Sequence, residues 1–130
     1  RLTILHAVSY SSQLGYREEL EELAADDGFG LLYIPAVSRP EQDDGYTEAS
    51  ARGRANDLVR LRYGLPKSGR VDPWFPPHVA GAFEQRLTQA GSAVYLCGNP
   101  GMISDVKDLL ENENYVVGGR EAQVITEDYW

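Results

Sequence analysis

The stretch Val94-Tyr95-Leu96-Cys97-Gly98-Asn99-Pro100-Gly101-Met102-Ile103 constrains this chain most. An apolar run halts at Cys97, breaks on Gly98, and resumes as a helical pattern behind Asn99-Pro100. An Asn side chain accepts from the first unpaired N–H groups of a helix, and proline's fixed φ suits the first helical position, so the helix start is sharp. A buried strand that feeds a helix through a small-residue turn belongs to α/β proteins, which seat ligands outside the carboxyl ends of their strands.

The remainder alternates in the same way. Leu2–Val8 is a short apolar run, read as a buried parallel strand. Ser11-Ser12 can cap the next helix, where Tyr16, Leu20, Leu23 and Ala24 share one face and Gly28 ends the pattern. Leu31–Val37 is a second strand; Pro35 cannot donate to a ladder, which predicts an edge position. Pro40 to Ala51 is a polar loop, and Arg54 to Arg62 a short helix with Ala55, Leu58 and Val59 inward. Four prolines and two glycines between Gly64 and Pro77 mark an irregular crossing. Val79, Phe83, Leu87 and Ala90 stripe another helix, closed by Gly91. The strand Ala93–Cys97, the helix Gly101–Glu111 with Ile103, Val106, Leu109 and Leu110 inward, and a last strand Ala122–Thr126 complete the chain. This order predicts an α/β fold, a parallel sheet with right-handed crossovers and helices on both faces, as one domain over residues 1–130.

Charge narrows the partners. The net charge of −8 argues against nucleic acid as the main partner. Six acidic residues crowd Glu18 to Asp27, a solvated helix face and its exit. Six of the twelve basic residues lie from Arg52 to Arg70, offset only by Asp57. That run reads as an ordinary charged surface or as a landing site for a phosphate or an acidic partner. The single cysteine excludes an internal disulfide and every multi-cysteine metal site, and no metal is expected. No apolar stretch approaches the roughly 20 residues that span a bilayer. These features point to the cytoplasm.

Three strand ends carry candidate chemistry: Ser9-Tyr10 after the first, Ser38-Arg39 after the second, and Cys97-Gly98-Asn99 after the third. A hydroxyl, a guanidinium and a helix N-terminus can cradle a nucleotide, although strand ends are often no more than capped turns. His6, inside an apolar strand, reads as a satisfied structural histidine rather than a base, and His78 as structural.

In sequence order, these segments resemble bacterial ferredoxin/flavodoxin–NADP reductases. His6 to Arg17 is similar to a strand and following helix of that family, and Val37-Ser38-Arg39 to its next strand end. Cys97-Gly98-Asn99-Pro100-x-Met102-Ile103 matches the most specific motif, and Tyr129-Trp130 the terminal pair of one bacterial subclass. The resemblance implies the NADP-binding domain of an FAD enzyme that exchanges electrons between NADPH and ferredoxin or flavodoxin. By position, Cys97, Gly98 and Asn99, with Met102 behind them, would lie beside the nicotinamide and pyrophosphate. Ser38 and Arg39 would hold the 2′-phosphate, with Arg52 or Arg54 as second cation. Tyr129 would stack on the flavin, Trp130 would pack near the adenine end of FAD, and Glu127 would serve proton relay or nicotinamide positioning. Catalytic roles would thus fall to Cys97, Glu127 and Tyr129.

Two departures accompany the match. Ser9 stands where the family generally has another arginine, which removes one clamp on a phosphate. The flavin barrel and the opening strand with its glycine-rich loop have no counterpart, so the chain is expected to be the C-terminal portion of a longer reductase, with a gap in its sheet and no hydride transfer by itself. The alternatives are an NADH-dependent, oxygenase-linked flavin reductase and a non-catalytic nucleotide-binding module.

Overall fold

Leu31–Val37 forms the most buried strand of the protein, with only Leu32 partly exposed. The computed structural model describes residues 1–129, which fall into two compact units, one of Arg1–Glu84 and one that begins at Gln85. Trp130 lies outside the described residues.

In the first unit, β1 (Leu2–Val8), β2 (Leu31–Val37) and β3 (Ala51–Arg52) form a parallel sheet in that order, joined by α1 (Arg17–Ala25) and followed by α2 (Ala55–Arg62). β1 and β2 pair in full, from Leu2 beside Leu31 to Val8 beside Val37. β3 meets only Ala36 and Val37. Pro35 therefore lies in a central strand, not on a simple edge. The Gly53 N–H donates to the Val37 carbonyl, so Val37 faces β3, and Pro35, two residues earlier, faces the same way. β3 stops short of it, so the missing N–H leaves no partner wanting.

β1 is half-buried rather than buried, because among the described residues only β2 pairs with it. His6 and the Tyr33 hydroxyl on β2 share a 3.2 Å hydrogen bond, and burial lowers the imidazole pKa from its ordinary 6.5, so the ring is a neutral structural group. Ser11-Ser12 does not cap α1. It forms a separate 3-10 turn, Ser11–Gln13, and α1 begins at Arg17 behind a left-handed Tyr16 (φ 59°). That backbone turns the Tyr16 side chain out to 80% exposure, so the tyrosine is not core.

α2 buries Asn56, Asp57, Leu58 and Val59. The crossing that follows is irregular, and its Phe75 ring packs on Phe83 at 5.1 Å. α3 (Pro77–Arg86) runs across the boundary between the units and ends well before Gly91. The Ser92 hydroxyl donates to the Arg86 carbonyl at 2.7 Å and accepts from the Thr88 N–H at 2.9 Å. This side-chain cap closes the helix early and leaves Leu87 and Ala90 beyond it.

The second unit pairs β4 (Val94–Gly98) with β5 (Val124–Asp128) in parallel through α4 (Pro100–Asn112). Ile103, Val106, Leu109 and Leu110 are its buried stripe, as the spacing predicts. Among the described residues the strands bond as two separate sheets, one in each unit. No helix among the described residues is long and apolar enough to cross a membrane.

Candidate nucleotide site

The parallel register of β1 and β2 brings their carboxyl ends side by side. The Ser38 N–H donates to the Val8 carbonyl at 2.9 Å, and the Arg39 N–H to the Ser9 carbonyl at 3.1 Å, so Ser9, Ser38 and Arg39 form one rim. Arg39 is exposed, donates through Nη1 to the Tyr10 hydroxyl at 3.1 Å, and lies 5.7 Å from the centroid of that ring. Such a pair holds the guanidinium without neutralising it.

Asp43 braces this rim. Its carboxylate accepts the Ser11 N–H at 2.6 Å, the Ser11 hydroxyl at 2.9 Å and the Gly45 N–H at 3.1 Å. The Ser11 backbone bond, with its hydroxyl and Gly45, holds the Asp43 pKa below its ordinary 3.8. Asp43 ties the loop after β2 to the loop after β1. No local pattern marks it, because its partner lies 32 residues away in the chain.

β3 adds the second cation candidates. Arg52 pairs in register with Val37, one residue before the rim. Its guanidinium carbon sits 4.7 Å from the Trp74 ring centroid, and its Nε is buried without a hydrogen-bond partner among the described residues. Arg54, exposed, precedes α2 in the N-cap position. Asp57, fully buried, accepts the Ser68 N–H at 2.6 Å, its hydroxyl at 2.8 Å and the Gly69 N–H at 2.9 Å. A Cβ at position 69 would come 2.8 Å from that carboxylate, so the loop beside Arg54 demands glycine. The acid that sits amid the basic run is consumed by the backbone. Lys67 bonds Asp72, and Arg60 donates to the Pro66 carbonyl at 3.4 Å, so part of the run is structural. What remains on the rim is the Ser9 and Ser38 hydroxyls beside the exposed Arg39 guanidinium, groups of the kind that hold a phosphate, with Arg52 and Arg54 carried by the neighbouring strand end.

In the second unit, β4 ends in Cys97 and Gly98, opposite Glu127 and Asp128 of β5. Gly98 adopts φ 129°, a backbone closed to side chains, and leaves the turn open. Asn99 Oδ1 accepts the N–H groups of Gly101 at 2.8 Å and Met102 at 3.2 Å. The Asn99 oxygen therefore caps α4, which leaves only its amide N–H to meet a ligand. Met102 is half-buried, its terminal methyl 3.9 Å from where a Gly98 Cβ would be.

Cys97 is exposed, and its Sγ shares a 2.9 Å hydrogen bond with the Tyr129 hydroxyl. With the phenol O–H donating to the sulfur, that hydrogen bond, then the negative charge Cys97 takes on at high pH and that of Glu127, raises the phenol pKa above its ordinary 10.0. The exposed tyrosine offers a flat face against which an aromatic ring system can stack. The site residues named from the sequence thus gather in two groups. Ser9, Ser38, Arg39, Arg52 and Arg54 belong to the first unit; Cys97, Gly98, Asn99, Met102, Glu127 and Tyr129 belong to the second.

No family model matches the chain, and no curated protein does at the level of sequence. In three dimensions it is similar to a ferredoxin NADP+ reductase from Neisseria gonorrhoeae, solved with bound FAD and NADP. The TM-score is 0.69 and the identity 18%, and the match covers 98% of this chain and 44% of that one. The chain spans less than half the length of that reductase, and over that span it has the fold of a ferredoxin NADP+ reductase.

Proposed function

We propose that residues 1–130 are the NADP(H)-binding domain of a cytoplasmic, FAD-dependent ferredoxin/flavodoxin–NADP reductase. The likeness in fold to the N. gonorrhoeae enzyme carries this reading, with Ser38-Arg39 at one strand end and Cys97-Gly98-Asn99 at another in its support. Ser38 and Arg39 hold the 2′-phosphate of the nucleotide, helped by Arg52 or Arg54, while Ser9 contributes a hydroxyl in place of a charge. Gly98, the Asn99 amide and Met102 border the pyrophosphate, and Cys97 and Glu127 position the nicotinamide. Tyr129 and Trp130 belong to the flavin's surroundings. FAD, when bound, supplies the two-electron to one-electron conversion that no side chain of this protein can perform. The Cys97 thiol keeps the Tyr129 ring at the end of β4.

Two observations favour an NADH-linked flavin reductase instead. Position 9 is serine, and the loop behind Arg39 carries Glu41, Asp43 and Asp44, whose charges oppose a second phosphate. NADPH and NADH oxidation, with ferricyanide as acceptor, separates the readings on the FAD-loaded protein that contains this chain. Strong preference for NADPH supports the ferredoxin/flavodoxin reductase. Equal or better NADH use moves the assignment to the oxygenase-linked class, and no turnover with either nucleotide leaves a non-catalytic nucleotide-binding module.

A further inference from the structure

The loops after β1 and β2 are stitched together by two neighbouring residues. Arg39 Nη1 donates to the Tyr10 hydroxyl at 3.1 Å, and the next residue, Ser11, gives its N–H and its hydroxyl to Asp43 at 2.6 Å and 2.9 Å. The backbone of Tyr10 is fixed as well. Its N–H donates to Gln13 Oε1 at 3.1 Å, and its carbonyl accepts the Gln13 N–H at 2.9 Å. The loop after β2 runs tight against this turn, for a Cβ at Gly45 would stand 2.7 Å from the Ser11 hydroxyl. Tyr10 is thus half-buried and held in place, whereas the Arg39 side chain that it meets is exposed. Among the described residues no carboxylate pairs with Arg39. Asp43, four residues on, is taken up by Ser11 and by the Gly45 N–H at 3.1 Å.

An exposed arginine samples many rotamers, and an anion that binds it must freeze them, at a cost in entropy. A carboxylate partner would order the side chain but would also cancel its charge. A neutral hydroxyl orders it differently: it accepts from one of five N–H donors and leaves the charge and the other four free for a ligand. Ser9 adds no charge to this rim, so the charge beside Ser38 is that of Arg39. We propose that Tyr10 is the positioning residue of Arg39, and that its hydroxyl thereby strengthens the preference for a 2′-phosphorylated nucleotide. This inference rests on the reading of Ser38 and Arg39 as the 2′-phosphate site.

The test is the ratio of kcat/KM for NADPH to kcat/KM for NADH, with ferricyanide as acceptor, on the FAD-loaded protein that contains this chain. Flavin absorbance and circular dichroism serve as folding controls. Wild type is expected to prefer NADPH, and Arg39→Gln to lose most of that preference. Tyr10→Phe removes the hydroxyl and keeps the ring. It should lower the ratio about twofold to tenfold, the span of ordering one long side chain. The loss should lie in the KM for NADPH, with kcat and the NADH constants unchanged, a split that a merely structural role would not produce. Tyr10→Leu, which also removes the ring face, should lower the ratio at least as far. In an Arg39→Gln background Tyr10→Phe should add nothing, because the hydroxyl acts through that arginine. If wild type shows no turnover or no preference for NADPH, or if Arg39→Gln keeps the preference, the phosphate-site reading fails and takes this inference with it. If wild type and Arg39→Gln behave as expected but Tyr10→Phe keeps the full ratio, or slows both nucleotides equally, the inference alone is overturned. Should Tyr10→Leu not fold, Tyr10→Phe decides by the same criterion.

Discussion

The two candidate rims are built by opposite means. In the second unit the turn from β4 into α4 is organised by its own neighbours, since Asn99 caps residues only two and three positions ahead. In the first unit the rim is assembled across the chain. Ser11 meets Asp43 from 32 residues away, Arg39 meets Tyr10 from 29, and Asp57 meets Ser68 from 11. A local cap forms with its helix at little cost in loop closure, whereas a long-range brace exists only after the sheet has aligned both loops. The first unit's rim therefore depends on the fold around it far more than the turn from β4 into α4 does, although the Cys97–Tyr129 contact beside that turn also spans 32 residues.

The largest effects should be those the units share. Leu58 and Leu110 are each fully buried, one in either unit. Leu58→Ala and Leu110→Ala should each lower stability by about 2–5 kcal/mol in urea unfolding, through lost transfer energy and the cavity left behind. A negligible loss for either would show that its unit has no close-packed core.

Next comes the direct contrast between brace and cap. Asp57→Ala strands the Ser68 and Gly69 N–H groups and should cost about 3 kcal/mol, because charged hydrogen bonds are lost in a buried place. Asn99→Ala should cost about 1 kcal/mol, the usual worth of an N-cap. The comparison breaks if the order is reversed. It sharpens if Asp57→Ala also exposes the 64–77 crossing to protease while Asn99→Ala does not.

A pH effect is the smallest and most specific. Because the Asp43 carboxyl titrates below its ordinary 3.8 in the folded protein, its contribution is full above the unfolded value and is lost as pH falls through the folded one. Asp43→Asn should therefore be less stable than wild type near neutrality, and the difference should shrink as the pH falls below 3.8. A gap that stays constant from neutral pH into acid would remove the assigned brace.

These contrasts also separate what was legible from what was not. The strand Leu31–Val37 and the inward stripe of α4 follow from apolar periodicity, and the Asn99-Pro100 start follows from capping chemistry within one turn. Tyr16 misled because helical spacing says nothing about a left-handed residue at the boundary, which turns that ring outward. The helix predicted through Ala90 ends at Arg86 because Ser92 reaches back to cap it, a bond no propensity records.

By itself the sequence determined the alternation of strands and helices, the buried stripes, and the small-residue turn at Cys97-Gly98-Asn99. Each of these depends on residues within a few positions of one another. Only the tertiary structure decided that Pro35 can sit in a central strand, that Asp43 and Asp57 serve the backbone, and that Trp74 lies beneath Arg52. Those outcomes depend on which distant segments share a sheet edge, and partners brought together by folding leave no periodic trace along the chain.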